Sequence, residues 1–348
     1  MYNNEKEHSF ITFTSNMKTG NVSNVILMYG VEQYLVKWAV ETIVKKNMSP
    51  SCVSMDFVVL DQENSTIGNI IEECNTFSML SEKRVVWVKN FKPLETETSK
   101  GYTKADTEEL IKYIGESNDA TILILSAETI NKKLPLVKAL TDAGQEYDFA
   151  QIDRGQLISF AKKRFKAAGV EIQPSNLRLM IELSGYYNKE TDYRLYNLEN
   201  DIEKAIAHSD GVLITEEDIS YTVDGDLETY IFSLIDAICK NQKDAAFRLL
   251  YNILDSGKEV FSILGLIVSQ FELILEVKEL REDGKNASEM AKILKANEYR
   301  VKKTIPLTEK FTIKKLKEIL VSSYEVDRNI KTGLLSSRMA LEMFIARI

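Results

Sequence analysis

In the stretch "NVILMYGVEQYLVKWAV", residues 24–40, an apolar run ends at Gly30 and an amphipathic helical pattern starts at once. That junction is where a phosphate loop of the form G-x-x-x-x-G-K-[ST] would sit. Its glycines let backbone N–H groups close on phosphate, its lysine neutralises the terminal phosphates, and its hydroxyl holds magnesium. Counted from Gly30, the second glycine, the lysine and the hydroxyl are replaced by Leu35, Val36 and Lys37, so the only lysine falls one place late. Later apolar runs supply no magnesium-organising carboxylate: "VVWV" leads into Lys89 and Asn90, and "ILIL" into Ser126 and Ala127. The turn has the place of a nucleotide site without its chemistry. No catalytic group, cofactor or ATPase activity is expected from it.

A second stretch, "TFSMLSEKR", sets Phe77, Met79 and Leu80 at a helix exit, followed by Ser81, Glu82 and Lys83. Three large apolar groups in such a place form either a cap on the core, which is the usual arrangement, or an anchor turned outwards to a partner. Cys52, Cys74 and Cys239 are too few and too scattered for a zinc cluster, even joined by His8 and His208. They are expected to be reduced, buried thiols of a cytosolic protein, with no metal site. The chain carries a net charge of −8, which argues against binding nucleic acid by bulk electrostatics. Residues 285–317 run against that trend, with ten Lys or Arg to three Glu. A solvated helix face or a protein contact is the commoner use of such a stretch. Within it, Tyr299, Arg300, Lys302 and Lys303 have the types that stack on bases and pair with phosphates.

The elements that must position these residues follow from periodicity. With 348 residues, 44% hydrophobic and 28% charged, the chain has room for two or three folded domains. Over 25–150, short apolar runs ("VILMY", "MDFVVLD", "KRVVWVKN", "ATILILSA") alternate with helical patterns ("EQYLVKWAVETIVKKN", "TIGNIIEECNTFSML", "TEELIKYIGES"), and "YDFAQI" supplies a last short strand. This is the signature of a parallel sheet buried on both faces. From Asp153 onward the strand signal stops and helix follows helix, with Pro174 opening one and Thr215 and Asp218 spaced as a capping box. The expected fold is α/β plus α: an α/β domain over 1–150, a small helical domain over 151–225 and a helical bundle over 226–348. Gly333 in "NIKTG" reads as a helix C-terminal cap, Tyr186 and Tyr187 as packing between helices, and Trp38 and Trp87 as core. The most apolar stretch, "VFSILGLIVSQFELIL", is interrupted by Gln270 and Glu272 and reads as a core helix rather than a membrane span. "MYNNEKEHSF" lacks the apolar segment of a secretory signal, and residues 1–22 are polar and weakly patterned.

An α/β domain with a degenerate nucleotide turn, a small helical domain and a bundle together resemble the delta subunits of the bacterial DNA polymerase III clamp loader, over about Asn24 to Ile348. "LMYGVEQYLVKWAV", "CNTFSMLSEKRVVWVKN" with Arg84 opening a strand, "LYNLENDIEKAIAH" with Asn200, Asp201 and Lys204, "ETYIFSLIDAI", "DRNIKTG" and "MALEMFI" carry the resemblance by their order and spacing. It implies an AAA+-type domain whose phosphate loop is degenerate at Gly30, Leu35, Val36 and Lys37, then a lid, then a collar that binds ATPase and delta-prime subunits. It also implies that the sliding clamp is bound by an apolar pair falling on Met79 and Leu80, with Phe77 beside them. The family more often has leucine followed by an aromatic there. Primer–template DNA would be a partner within the complex, with Tyr299, Arg300, Lys302 and Lys303 touching either DNA or a neighbouring subunit; no membrane is implied. The alternatives are an active ATPase, which the missing residues oppose, and a silent scaffold for some other partner.

Overall fold

A computed structural model describes residues 8–61, 66–99, 101–116, 118–188, 192–223, 227–255, 257–296 and 298–348. The chain divides into two compact units, Met1–Leu157 with Arg194–Tyr196, and Ile158–Tyr193 with Asn197–Ile348. The first break lies close to residue 150, and the proposed division into 1–150, 151–225 and 226–348 is finer than this one.

In the first unit the chain runs α1 (Ser9–Thr19), β1 (Val25–Tyr29), α2 (Gln33–Asn47), α3 (Val53–Asp56), β2 (Phe57–Leu60), α4 (Ile67–Asn75), β3 (Arg84–Val88), α5 (Lys104–Gly115), β4 (Thr121–Ala127), α6 (Pro135–Ala143) and β5 (Gln145–Asp148). The strands form one sheet in the order β2-β3-β4-β1-β5, parallel at every pairing. Side chains alternate across it. Val25, Leu27 and Tyr29 of β1 join Val86, Val88, Leu123 and Leu125 in a cluster with apolar residues of α4, α5 and α6. All of β1, β3 and β4 is buried, as continuous apolar strands require. Trp87 is core and its Nε1 donates to Ser126 Oγ at 2.9 Å, while Trp38 is half-buried against Phe10 and Phe13.

Three elements differ from the sequence reading. The weakly patterned N-terminus contains α1, which buries Phe13 and Met17, four residues apart on one face. The last strand is Gln145–Asp148 rather than "YDFAQI", because β1 pairs only that far, Ile26 with Gln145 through Tyr29 with Asp148. The helix expected through Leu80 stops at Asn75. Thr76 turns to extended backbone (φ −70°, ψ 128°) and residues 76–83 are loop.

The second unit begins within α7 (Arg154–Ala167) and continues through β6 (Glu171–Ile172), α8 (Pro174–Leu183), α9 (Leu195–His208), β7 (Leu213–Ile214) and α10 (Glu216–Thr222). Then come α11 (Leu227–Cys239), α12 (Lys243–Asp255), α13 (Val260–Glu282), α14 (Ala287–Leu294), α15 (Glu298–Thr308), α16 (Ile313–Lys331) and α17 (Ser337–Arg347). Pro174 sits in the first turn of α8, and Thr215 and Asp218 form a reciprocal capping box. Tyr186 and Tyr187 meet edge to face at 4.9 Å. The short parallel pair β6–β7 is a strand signal that two-residue runs are too brief to give. α13 is long and apolar enough to cross a membrane, yet Ile263, Ile267, Phe271, Ile274 and Val277 are buried, and so is Gln270, which donates to Thr304 at 3.2 Å. It is a core helix. Gly333 follows α16 at φ 73°, as a C-terminal cap requires, with Lys331 paired to Asp327 at 2.8 Å. Cys52 and Cys74 are buried, but Cys239 is only half-buried, since it ends α11. Burial pushes the thiols of Cys74 and Cys239 up to about 12, so both are unreactive protonated groups at neutral pH.

Candidate functional site

The glycine turn between β1 and α2 spends its backbone donors on its own chain. Gly30 N donates to Glu128 O at 3.1 Å, Glu32 N to Phe149 O at 3.0 Å, and Gln33 Nε2 to Gly30 O at 2.8 Å. Gly30 has φ 124°, and a Cβ there would lie 2.3 Å from Phe149 O, so the backbone just after β5 presses directly on the turn. Of the degenerate phosphate-loop positions, Leu35 and Val36 are core residues, and Lys37 is exposed, 4.0 Å from Glu41. Fully buried Glu32 is satisfied within the first unit, where its Oε2 accepts from Leu195 N at 3.0 Å. Donors already committed to carbonyls and a buried carboxylate both disfavour a phosphate at this turn.

The loop after α4 is built the opposite way. Phe77, Met79 and Leu80 are 86%, 73% and 65% exposed, while the backbone that carries them is fixed from beneath. Asp56 ends α3 and is fully buried. Its Oδ1 accepts from Met79 N at 2.8 Å, and its Oδ2 from Leu80 N at 3.1 Å and Ser81 N at 2.9 Å. The Ser78 hydroxyl lies 3.0 Å from Oδ2 and 2.7 Å from Ser81 O, one proton between two acceptors. Burial opposes ionisation of Asp56, but the N–H groups of Met79 and Leu80 and the donors of Ser81 and Ser78 outweigh it and hold the carboxyl well below the usual carboxylate range.

Arg84, the buried first residue of β3, completes the support. Its Nη1 donates to Met55 O at 2.9 Å and lies 4.0 Å from Asp56 Oδ1. Its Nε donates to Glu73 O at 3.0 Å, and Nη2 pairs with the Glu73 carboxylate. One guanidinium thus ties the end of α3, the last turn of α4 and the start of β3 together. Lys83 closes the loop's far end by donating to Asn24 Oδ1 at 2.6 Å. Sequence reasoning picked out Phe77, Met79 and Leu80 but missed Asp56. The only local signal for it was a carboxylate leading directly into the apolar run "FVVL".

The three cations singled out in the basic stretch of the second unit are paired within the fold. Arg300 pairs with Glu228 at 3.5 Å, and Lys303 pairs with Glu182 at 3.5 Å and sits 4.3 Å over the Phe232 ring. Lys302 pairs with Glu298 at 2.7 Å and is the most exposed of the three. The side chain of Tyr299 lies outside the described residues. Asp201 in α9 is buried, accepts from the Tyr193 hydroxyl at 2.7 Å and pairs with Lys204 at 3.1 Å, which makes the "LYNLENDIEKAIAH" helix a packing element.

A five-stranded parallel sheet with its nucleotide turn closed, an exposed apolar loop, and a helical C-terminal part define an AAA+-type module of the clamp-loader kind. Residues 26–147 match the family model described as DNA polymerase III, delta subunit, and residues 228–348 match the model for the C-terminal domain of the same delta subunit. Together the two span more than half of the chain, which belongs to the DNA polymerase III delta subunit family. DNA polymerase III subunit delta of Bacillus subtilis (strain 168) is 26% identical over 339 residues, covering 95% of this chain and 94% of the relative. The probable delta subunit of Aquifex aeolicus (strain VF5) is 21% identical over 270 residues, covering 75% of this chain and 73% of the relative. Among solved structures, the Bacillus subtilis DNA clamp loader delta protein (YqeN) superposes with a TM-score of 0.53 at 25% identity, over 97% of this chain and 98% of that one.

Proposed function

We propose that this chain is a non-catalytic clamp-loader subunit that binds the sliding clamp through Met79 and Leu80, with Phe77 beside them, and thereby favours the open ring during chromosome replication. The observation that carries this reading is the exposure of three neighbouring large apolar side chains on a loop whose backbone is fixed by Asp56. Solvent-exposed Phe, Met and Leu on an ordered loop gain nothing for folding, and such a patch suits a partner's apolar groove. Methionine adapts to irregular gaps, and each side chain contributes about 1.5–3 kcal/mol when fully desolvated. That is too little to tear a dimer apart, but enough to shift a closed-to-open equilibrium if the loop binds only the sprung form.

The closed glycine turn fits a division of labour in which partner subunits bind and hydrolyse ATP and this module serves as a rigid arm. Its collar, residues 226–348, meets ATPase and delta-prime subunits in the cytoplasm, and primer–template DNA is a partner of the assembled complex. The ion pairs of Arg300 and Lys303 support packing, or a contact with a neighbouring subunit, for the basic stretch rather than a DNA site. The test is binding of the chain to its cognate sliding clamp, with and without ATP, wild type beside Met79→Ala/Leu80→Ala. Tight, ATP-independent binding that the double variant loses is expected. Equal binding by the variant, or none by the wild type, would favour a scaffold with another partner.

A further inference from the structure

Asp56 directs a buried charge wholly at a loop whose side chains face water. Three successive N–H groups, those of Met79, Leu80 and Ser81, converge on its two oxygens, and such convergence requires the backbone to curl around the anion. With the N–H groups of residues 79 and 80 turned to the carboxylate, their side chains stand exposed. The donors and the acceptor are 22 to 25 residues apart in the chain, so the loop is fastened to another element, the α3–β2 junction, rather than to its own neighbours. That junction is in turn held by Arg84, which also grips the end of α4.

We propose that Asp56 is a positioning residue for docking: its carboxylate keeps residues 78–81 in their bound conformation in the free chain, so that Met79 and Leu80 meet the partner already ordered. The identity of that partner rests on the clamp reading; the holding of the loop does not. A loop ordered before binding is spared the entropy of being ordered on binding, and the gain appears as affinity without any contact between Asp56 and the partner. Asparagine is the same shape but replaces one acceptor oxygen by an NH2 group, which cannot accept the N–H groups now directed at that oxygen.

The test is amide hydrogen exchange of residues 79–81 in the full chain, measured with clamp affinity for wild type, Asp56→Asn and the milder Ser78→Ala. In the wild type these amides should be protected although their side chains are exposed. In Asp56→Asn they should exchange about tenfold faster or more, with β1 and β4 amides unchanged and clamp affinity weakened about tenfold or more. Ser78→Ala should lie between, and it keeps the comparison alive if Asp56→Asn does not fold. Wild-type amides that exchange as in an unstructured peptide overturn the inference. So does Asp56→Asn with unchanged exchange, or with fast exchange and unweakened binding. A wild type that fails to bind the clamp overturns the clamp reading instead, and the exchange comparison then decides by itself whether Asp56 holds the loop.

Discussion

The turn at Gly30 follows a strand of the sheet and the loop at residues 76–81 follows a helix packed on it; each has a buried carboxylate, Glu32 within the turn and Asp56 beneath the loop, put to opposite uses. At the turn, backbone donors are consumed by carbonyls of residues 128 and 149, Glu32 is buried with its carboxylate on Leu195 N, and the neighbouring side chains Leu35 and Val36 are core. At the loop, backbone donors are consumed by Asp56, and the neighbouring side chains are exposed. In both places several backbone N–H groups are satisfied by the chain itself. What differs is the direction in which the side chains are left to point. The same sheet thus carries a turn filled from within and a loop of which the backbone is fastened while the side chains of Phe77, Met79 and Leu80 are left to solvent.

The double variant Met79→Ala/Leu80→Ala tests the outward half of that contrast and has the largest expected effect. Loss of both anchors should weaken clamp binding by about 3–6 kcal/mol, a rise in Kd of about 10² to 10⁴. Urea unfolding of the free chain should move by less than about 0.5 kcal/mol, because neither side chain is buried in it. A large loss of stability would mean that the loop is core, and the contrast would collapse. Val36→Lys tests the inward half, since it restores the type of residue a phosphate loop carries at that place. Here it would bury an unpaired charge and should destabilise the chain by about 3–5 kcal/mol without creating ATP binding in equilibrium dialysis. Gly30→Ala comes next. Positive φ and a contact of 2.3 Å with Phe149 O should lower stability by about 3 kcal/mol, read from the urea midpoint, while clamp affinity per folded molecule stays unchanged.

Much of this contrast is legible in the sequence, and the illegible remainder has physical causes. β1, β3 and β4 stand out as continuous apolar runs because they are buried on both faces, and the missing lysine and hydroxyl at Val36 and Lys37 are read by position alone. Phe77 and Leu80 lie three residues apart, one of the spacings of a helix face, so their run extends the α4 pattern past its true end at Asn75. Periodicity reports where apolar groups recur, not whether they face in or out. Asp56 is out of reach because its partners lie more than twenty residues away, and only the fold brings them together. α1 escapes notice because its inner face is short: Phe13 and Met17 are buried and Phe10 packs on Trp38, while exposed Ile11 blurs the period.

The gentlest test of the comparison is acidification. Asp56 faces the N–H groups of Met79, Leu80 and Ser81 and the Ser78 hydroxyl, with Arg84 of β3 at 4.0 Å, Glu73 of α4 on the far side of that guanidinium, and Cys52 at the start of α3. Its carboxyl is held below its unfolded value of about 3.9, so the unfolded chain binds the proton first as pH falls. The stabilisation is complete above about pH 4 and is lost as pH drops through the folded value. Between pH 5 and 8, then, Asp56 stays ionised, and neither the exchange of amides 79–81 nor, on the clamp reading, docking should change on its account. Below pH 4 the wild type should lose stability more steeply than Asp56→Asn, whose side chain does not titrate. Urea midpoints of the two chains at pH 7, 5 and 3.5 make the comparison. Glu146 and Asp218 are also held below their ordinary values, but they are common to both chains and cancel in the difference. Parallel curves would show that the loop is held by something other than the charge on Asp56. Converging curves would tie the outward posture of Met79 and Leu80 to that one buried carboxylate.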